Sequence, residues 1–330
     1  MVSKKKSKSK QSPMDDDFLM SPKNDFAFKL IFGDEKNKDL LISLLSAILR
    51  LPKEDFEGLE IINSELLREF VEDRKGILDV RVKTKLGKQI DVEIQILPTN
   101  YMPERTMFYW SKMYISQIKL GDPYHALKKC ITINIVDFKC TPLQKVHSSY
   151  HLTEDETGYR LTDILEVHFL EMPKLVDPEI PRDENDTVVE WMEFINAKSK
   201  GVIEMLAEKN QDIKKAYDLL QIISKDEKAR MLYEAREAER RDQISWMKSA
   251  KDEGEAKGKV EGKAEGKAEM AQVSICQYLE ARLGIESQVL QDSVYTITDL
   301  DTLSRIMKLI LIGSPLDEVT ALIRDNLVSQ

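Results

Sequence analysis

Residues 77–97 read ILDVRVKTKLGKQIDVEIQIL, alternating apolar and polar side chains on both sides of Gly87. Alternation of period two is the pattern of a β-strand, because successive side chains leave opposite faces. Leu78, Val80 and Val82 share one face, and Asp79, Arg81 and Lys83 share the other. Beyond Gly87, Val92, Ile94 and Ile96 are apolar, while Asp91, Glu93 and Gln95 take the opposite face. The pattern predicts a hairpin with one face that gathers Asp79, Arg81, Asp91, Glu93 and Gln95. A two-residue loop at Gly87-Lys88 would pair odd positions with even ones. A three-residue loop, Leu86-Gly87-Lys88, pairs Lys85 with Gln89 and keeps both apolar rows together, as burial demands. It sets Asp79 across from Gln95, Arg81 across from Glu93, and Lys83 across from Asp91.

Two readings of the polar face follow from the pattern. In one, Arg81–Glu93 and Lys83–Asp91 are ordinary cross-strand ion pairs on a solvated surface. In the other, Asp79 and Glu93, diagonal neighbours on adjacent strands, reach one hard cation such as Mg²⁺, which favours carboxylate oxygens and retains several waters. A water activated by that metal could attack a phosphodiester.

Upstream of the hairpin, Asn37 to Leu51 places Leu40, Leu41, Leu44, Leu45, Ile48 and Leu49 at helical spacing, and Pro52 closes the segment. Ser21-Pro22 precedes a shorter apolar helix that Gly33 ends. Leu59 to Asn63 is a short strand candidate. Downstream, Met102 to Leu120 reads as an aromatic-rich helix with Pro103 in its first turn. Arg105, Tyr109 and Lys112 fall on one stripe of it, with Phe108, Met113 and Ile115 expected on the buried side. Cys130 to Phe138, CITINIVDF, has the continuous β-branched run of a fully buried strand. Val146–Leu152 and Leu165–Met172 are further strands. A helix between two strands permits a parallel crossover, so the sheet is expected to be mixed.

After Pro181 the pattern turns helical, with short amphipathic segments at Thr187–Ala197, Gly201–Lys209 and Ile213–Ile223 and a long charged one at Lys225–Lys251. Residues 253–270, EGEAKGKVEGKAEGKAEM, repeat with a period of four. Each Gly costs about 1 kcal/mol relative to Ala in a helix, so a flexible or semi-helical linker is favoured over a self-associating helix. The domain reading is a disordered basic arm at 1–20, a core at 21–180, a helical extension at 181–252, the repeat at 253–270 and a small helical module at 271–330.

Composition narrows the class. Apolar content is 42%, charged content 32% and the net charge −9, which argues against a protein that coats nucleic acid over its whole surface. No run approaches the roughly 18 apolar residues that span a bilayer, and no signal peptide is visible. Cys130, Cys140 and Cys276 are too few and too widely spaced for a disulfide frame or a zinc site. A cytoplasmic location fits best. P-loop, GxSxG and HExxH motifs are absent. His147 and His151 have i,i+4 spacing, but on a strand or loop that spacing does not converge. His125 and His168 stand apart, so structural or surface roles are expected for all four histidines.

Three blocks in order, KNDFAFKLIFGDEKNKDLLISLLSAIL (23–49), ILDVRVKTKLGKQIDVEIQ (77–95) and ERTMFYWSKMYISQIKLGDPY (104–124), resemble the PD-(D/E)XK nuclease family transposases, also called the recombination-promoting nuclease or Rpn family. The resemblance covers roughly Ser21 to Ala250. It implies an α/β fold: a restriction-endonuclease-like core with a mixed central sheet flanked by helices, followed by an α-helical C-terminal region. It also implies metal-dependent DNA cleavage. In the family's terms Asp79 is the strand Asp, Glu93 the acidic residue of the (D/E)-x-K element, and Gln95 stands in the Lys position, where the family typically reads E-x-Q. Gln can orient a water or a phosphate but carries no charge. Asp25 matches the acidic residue of the first helix that often joins the metal site. Arg105 and Tyr109 match the following helix, where phosphate could bind, and Lys112 lies on the same stripe.

The resulting expectation is a DNA endonuclease of recombination-promoting or transposase type. Asp79, Glu93 and Gln95 are its catalytic residues. Asp79 and Glu93, joined by Asp25, hold Mg²⁺ or another divalent cation such as Mn²⁺. Arg105, Tyr109 and Lys112 contact DNA. The C-terminal helices would form a homodimer, and no membrane is involved. The alternative is a catalytically weak or inactive DNA-binding or regulatory protein on the same fold.

Overall fold

The structure, a computed structural model, describes residues 18–62 and 79–328. Ile77 and Leu78, the charged segment 69–75 and most of the basic arm lie outside the described residues. A six-stranded sheet carries strands β1 (Glu60–Ile62), β2 (Val80–Lys83), β3 (Gln89–Gln95), β4 (Cys130–Val136), β5 (His147–Tyr150) and β6 (Leu165–Glu171), in the order β1-β2-β3-β4-β6-β5. The β1–β2, β2–β3 and β5–β6 pairs are antiparallel, while β3–β4 and β4–β6 are parallel. The mixed sheet and the parallel crossover through α3 (Met102–Ile115) agree with the sequence reading.

One face of the sheet is apolar. Val80, Val82, Ile90, Val92, Ile94, Ile131, Ile133 and Ile135 pack with helices α1 (Asp25–Phe32) and α2 (Lys38–Leu49), around Phe28, Phe32, Leu41 and Leu44. Asn24 starts α1, its side chain accepting the amides of Phe26 and Ala27, and thereby satisfies two of the free N–H groups of the first turn. Helices α4 (Thr187–Ile195), α5 (Lys200–Lys209) and α6 (Gln211–Lys225) bring Trp191, Phe194 and Leu220 into the same core, which reaches Tyr233. Residues 181–233 therefore close the body that holds the sheet rather than extending beyond it.

Helix α3 covers the other face. Thr106 Oγ1 lies 3.1 Å from Asn134 Oδ1, Trp110 Nε1 donates to the Cys130 carbonyl, and Met102 joins Val136, Val167 and Phe169 in a small apolar cluster. Met113 is buried as expected, but Phe108 and Ile115 are exposed. The buried row of α3 is Met102, Thr106 and Met113, so Phe108 and Ile115 turn outward on the stripe that also carries Arg105 and Lys112.

The hairpin loop has three residues, but they are Lys85-Leu86-Gly87. The Thr84 amide donates to Lys88 O at 2.9 Å, and the Gly87 amide to Thr84 O at 2.8 Å. Gly87 takes φ +85°. In three-residue hairpins the left-handed residue comes last, so Gly87 ends the loop instead of sitting at its centre. The register accordingly pairs Arg81 with Asp91 and Lys83 with Gln89, replacing the expected Arg81–Glu93 and Lys83–Asp91 pairs. The shift is two residues, so each side chain keeps its face.

Helix α7 runs unbroken from Glu227 to Leu283 and contains the whole repeat at 253–270. The linker preferred from sequence is a helix in the structure, and a Cβ added at Gly254, Gly258, Gly262 or Gly266 would meet nothing within 4 Å. The chain divides into two compact units, 1–241 and 242–330. In the second, the end of α7 packs with α8 (Gln288–Thr296), α9 (Leu300–Leu311) and α10 (Leu316–Val328) around Ile275, Leu279, Val294, Leu303, Ile306 and Ile323. Among the described residues no helix is long and apolar enough to cross a membrane.

Candidate active site

The polar face of the hairpin is buried. Arg81 is 8% exposed, Asp91 1% and Glu93 4%. This contradicts the solvated surface with ordinary ion pairs, because α3 lies over what would otherwise be the outer face. Extending the β2–β3 register by one pair from Val80–Val92 puts Asp79 directly opposite Glu93. Asp79 Oδ2 accepts the Ile94 amide at 2.8 Å, and Lys29 Nζ of α1 approaches Asp79 Oδ1 at 3.3 Å.

Arg105 reaches across from α3. Its Nη2 donates to Glu93 Oε2 at 3.0 Å and its Nη1 to Gln95 Oε1 at 2.9 Å. Gln95 Nε2 in turn donates to Leu97 O at 2.9 Å. The Arg105 guanidinium also lies 5.4 Å from the centre of the Tyr109 ring. Three carboxylates, Asp79, Asp91 and Glu93, thus meet three cations, Lys29, Arg81 and Arg105.

Burial dominates the titration of these acids. It pushes the Glu93 carboxyl up to about 7, against the attraction of Arg105. It raises Asp79, against the Ile94 amide and Lys29. It raises Asp91 well above the ordinary carboxylate range, and the negative charges of Glu93 and Asp79 push the same way. Neither Asp91 oxygen has a hydrogen-bond partner, and Glu93 Oε1 has none. Perturbed acids concentrated in one place are a mark of functional sites.

Of the residues singled out from sequence, the structure brings together Asp79, Glu93, Gln95 and Arg105. Asp25 sits in the first turn of α1, where its charge reaches Asp79, but its carboxylate lies 3.9 Å from Arg236 Nε and is partly exposed. Lys112 stands about two helical turns beyond Arg105, its Nζ 4.7 Å from the centre of the Phe108 ring. Sequence reasoning did not select Lys29, Arg81 or Asp91 for the site. Asp91 and Arg81 were visible in the alternation. Lys29 was not, because nothing local ties a helix lysine to a strand carboxylate. The histidines depart from expectation too. His147 Nε2 lies 2.8 Å from His168 Nδ1, and His168 Nε2 lies 2.7 Å from Glu166 Oε1, so His168 is not isolated.

Residues 22–250, well over half of the chain, match the family described as PD-(D/E)XK nuclease family transposase. The chain belongs to this family. The mixed sheet flanked by helices is the restriction-endonuclease-like α/β fold that membership entails. No curated protein and no solved structure matches the chain. PD-(D/E)XK nucleases use divalent metal ions, and the donor set here fits one: the carboxylates are hard oxygen ligands, and a buried oxygen of Glu93 is unpartnered beside Asp79. Among the described residues no group of three or more Asp, Glu, His or Cys side chains is placed to hold a metal ion. Mg²⁺ is commonly held by one or two carboxylates with water and substrate phosphate completing its shell.

Proposed function

We propose that this PD-(D/E)XK family chain is a DNA endonuclease of the recombination-promoting type, hydrolysing phosphodiester bonds with Mg²⁺ or Mn²⁺. The observation that carries the reading is the opposition of Asp79 and Glu93 on adjacent strands, both largely out of water, with Glu93 Oε1 lacking a partner. Asp79 and Glu93 would hold the cation, and Asp25, in the first turn of α1, would add negative charge nearby. A divalent cation bound there would supply water activation and charge neutralisation at the phosphate. Asp79 is fixed for this role by the Ile94 amide, which prevents its carboxylate from rotating away. Gln95 orients through its amide and carries no charge. Arg105, bound to both Glu93 and Gln95, supplies the positive charge that a lysine would otherwise place there. Arg105 and Lys112 then contact the backbone, with Tyr109 supporting Arg105.

The test uses supercoiled plasmid incubated with the wild type and with Asp79→Ala, in Mg²⁺, Mn²⁺ or EDTA. Nicking by the wild type alone, and only with metal, is expected. Nicking that survives EDTA or the substitution overturns the reading. DNA binding without nicking would instead support a regulatory protein on the same fold. The C-terminal helices are proposed to join two copies, which two-site cleavage would exploit. Light scattering on the full chain and on a chain ending at residue 252 tests this, and two monomers would refute it.

A further inference from the structure

The outward stripe of α3 carries information about the substrate. Arg105, Phe108, Lys112 and Ile115 follow one another at steps of three, four and three residues, which keeps them on one narrow helical face, and Tyr101 stands at the N-cap of α3, four residues before Arg105. Tyr101 is 71% exposed, Phe108 49% and Ile115 62%. Rings and cations therefore alternate along the stripe, and Lys112 rests on the Phe108 ring at 4.7 Å. Helices normally turn such large apolar groups inward. Here the inward row is already filled by Met102, Thr106 and Met113. The stripe also begins at the proposed cleavage site, since Arg105 is bonded to Glu93 and Gln95. Arg105 and Lys112 stand about 10.5 Å apart along the axis, at 1.5 Å per residue, with the Phe108 ring between them.

We propose that this stripe binds unpaired DNA: Tyr101 and Phe108 stack on exposed bases while Arg105 and Lys112 hold the phosphates that flank them. Resting on the endonuclease reading, it assigns that site a single-stranded or locally opened substrate. Alternating cations and aromatic rings suit a single strand, because every base offers a face to a ring while its backbone tracks the charges. Intact duplex keeps its base faces stacked inside and gives the rings nothing to bind. Glu104 borders the stripe and sets the edge that a polyanion avoids.

The experiment measures fluorescence anisotropy of a labelled single-stranded oligonucleotide and of its duplex, in EDTA so that no cleavage intervenes. Proteins compared are the wild type, Phe108→Ala, Tyr101→Ala, the double variant and Phe108→Tyr. Single-strand affinity should fall about fivefold or more per ring removed, Phe108→Tyr should retain it, and duplex affinity should change little. Unchanged single-strand affinity in the double variant, or equal losses for both DNAs, would overturn the proposal. So would a drop in the oligomeric mass of the double variant, which would make the stripe an interface between copies. Plasmid nicking by Asp79→Ala, measured separately, keeps failure of the endonuclease reading distinct from failure of this one.

Discussion

Arg105 Nη2 donates to Glu93 Oε2 at 3.0 Å, joining a side chain that is one-third exposed to one that is 4% exposed. The pair is asymmetric: the carboxylate has given up its water, while the arginine side chain stays partly exposed although its Nε is buried without a partner. Losing the arginine thus strands a buried charge. Arg105→Ala should lower the stability of the metal-free protein by about 2 kcal/mol, less than for a fully buried pair because solvent screens the arginine side. Urea midpoints at neutral pH measure it. Adding Mn²⁺ should close most of the gap, since the cation meets the same charge.

The titration of Glu93 gives a pH dependence of definite sign. Its carboxyl is raised from the ordinary 4.5 to about 7, so the folded chain holds this proton more tightly than the unfolded one. Its contribution is fully present below about 4.5 and is lost as pH rises through about 7. Glu93→Gln mimics the protonated acid. The variant should match the wild type near pH 5 and exceed it near pH 8 by up to roughly 3 kcal/mol, taking 1.36 kcal/mol per pH unit. Melting curves at the two pH values decide this. Divalent metal at pH 8 should raise the wild-type melting temperature and leave the variant unmoved.

Gln95 cannot simply be exchanged for the lysine of the wider superfamily. Its Oε1 accepts from Arg105 Nη1 at 2.9 Å, and an ammonium there would set a donor against a donor and like charges together. Gln95→Lys should therefore destabilise the chain by about 1–2 kcal/mol and reduce nicking rather than enhance it. An increase in both stability and activity would contradict this account of Arg105.

The repeat within α7 makes a prediction of opposite sign. Gly254, Gly258, Gly262 and Gly266 have open space where a side chain would go. Replacing all four by alanine should raise the helix's intrinsic stability by about 1 kcal/mol per site. Amide exchange across 253–270 should slow. Unchanged exchange would mean that the segment's order does not come from its own backbone.

The alternation at 77–97 was enough to identify the hairpin, its faces and the odd loop length, because a period of two is a local property of the chain. The alternation also placed Asp79 and Glu93 on one face as diagonal neighbours, and the family blocks gave them their expected role. The exact register was not legible, since it turned on which position of the loop Gly87 occupies. Burial of the polar face was illegible too, because a strand's alternation is the same whether α3 or water lies over it. The same limit explains Phe108 and Ile115: local pattern ranks them as core, while tertiary packing had already filled the inner row of α3. His147 meeting His168 depends on the β5–β6 register, which spacing along the chain does not encode.

The charges beneath α3 also act during folding. With both faces of β3 buried, sliding the hairpin by one residue would carry Asp79, Asp91 and Glu93 into the apolar core. It would also press valines and isoleucines against Arg81 and Arg105. Such a slip would part the buried carboxylates from Lys29, Arg81 and Arg105, at several kcal/mol for each charge left unpaired. The carboxylates therefore key the alignment of the strands that present them, and a chain with Asp91 and Glu93 both made apolar would lose its guard against mispairing along with its site.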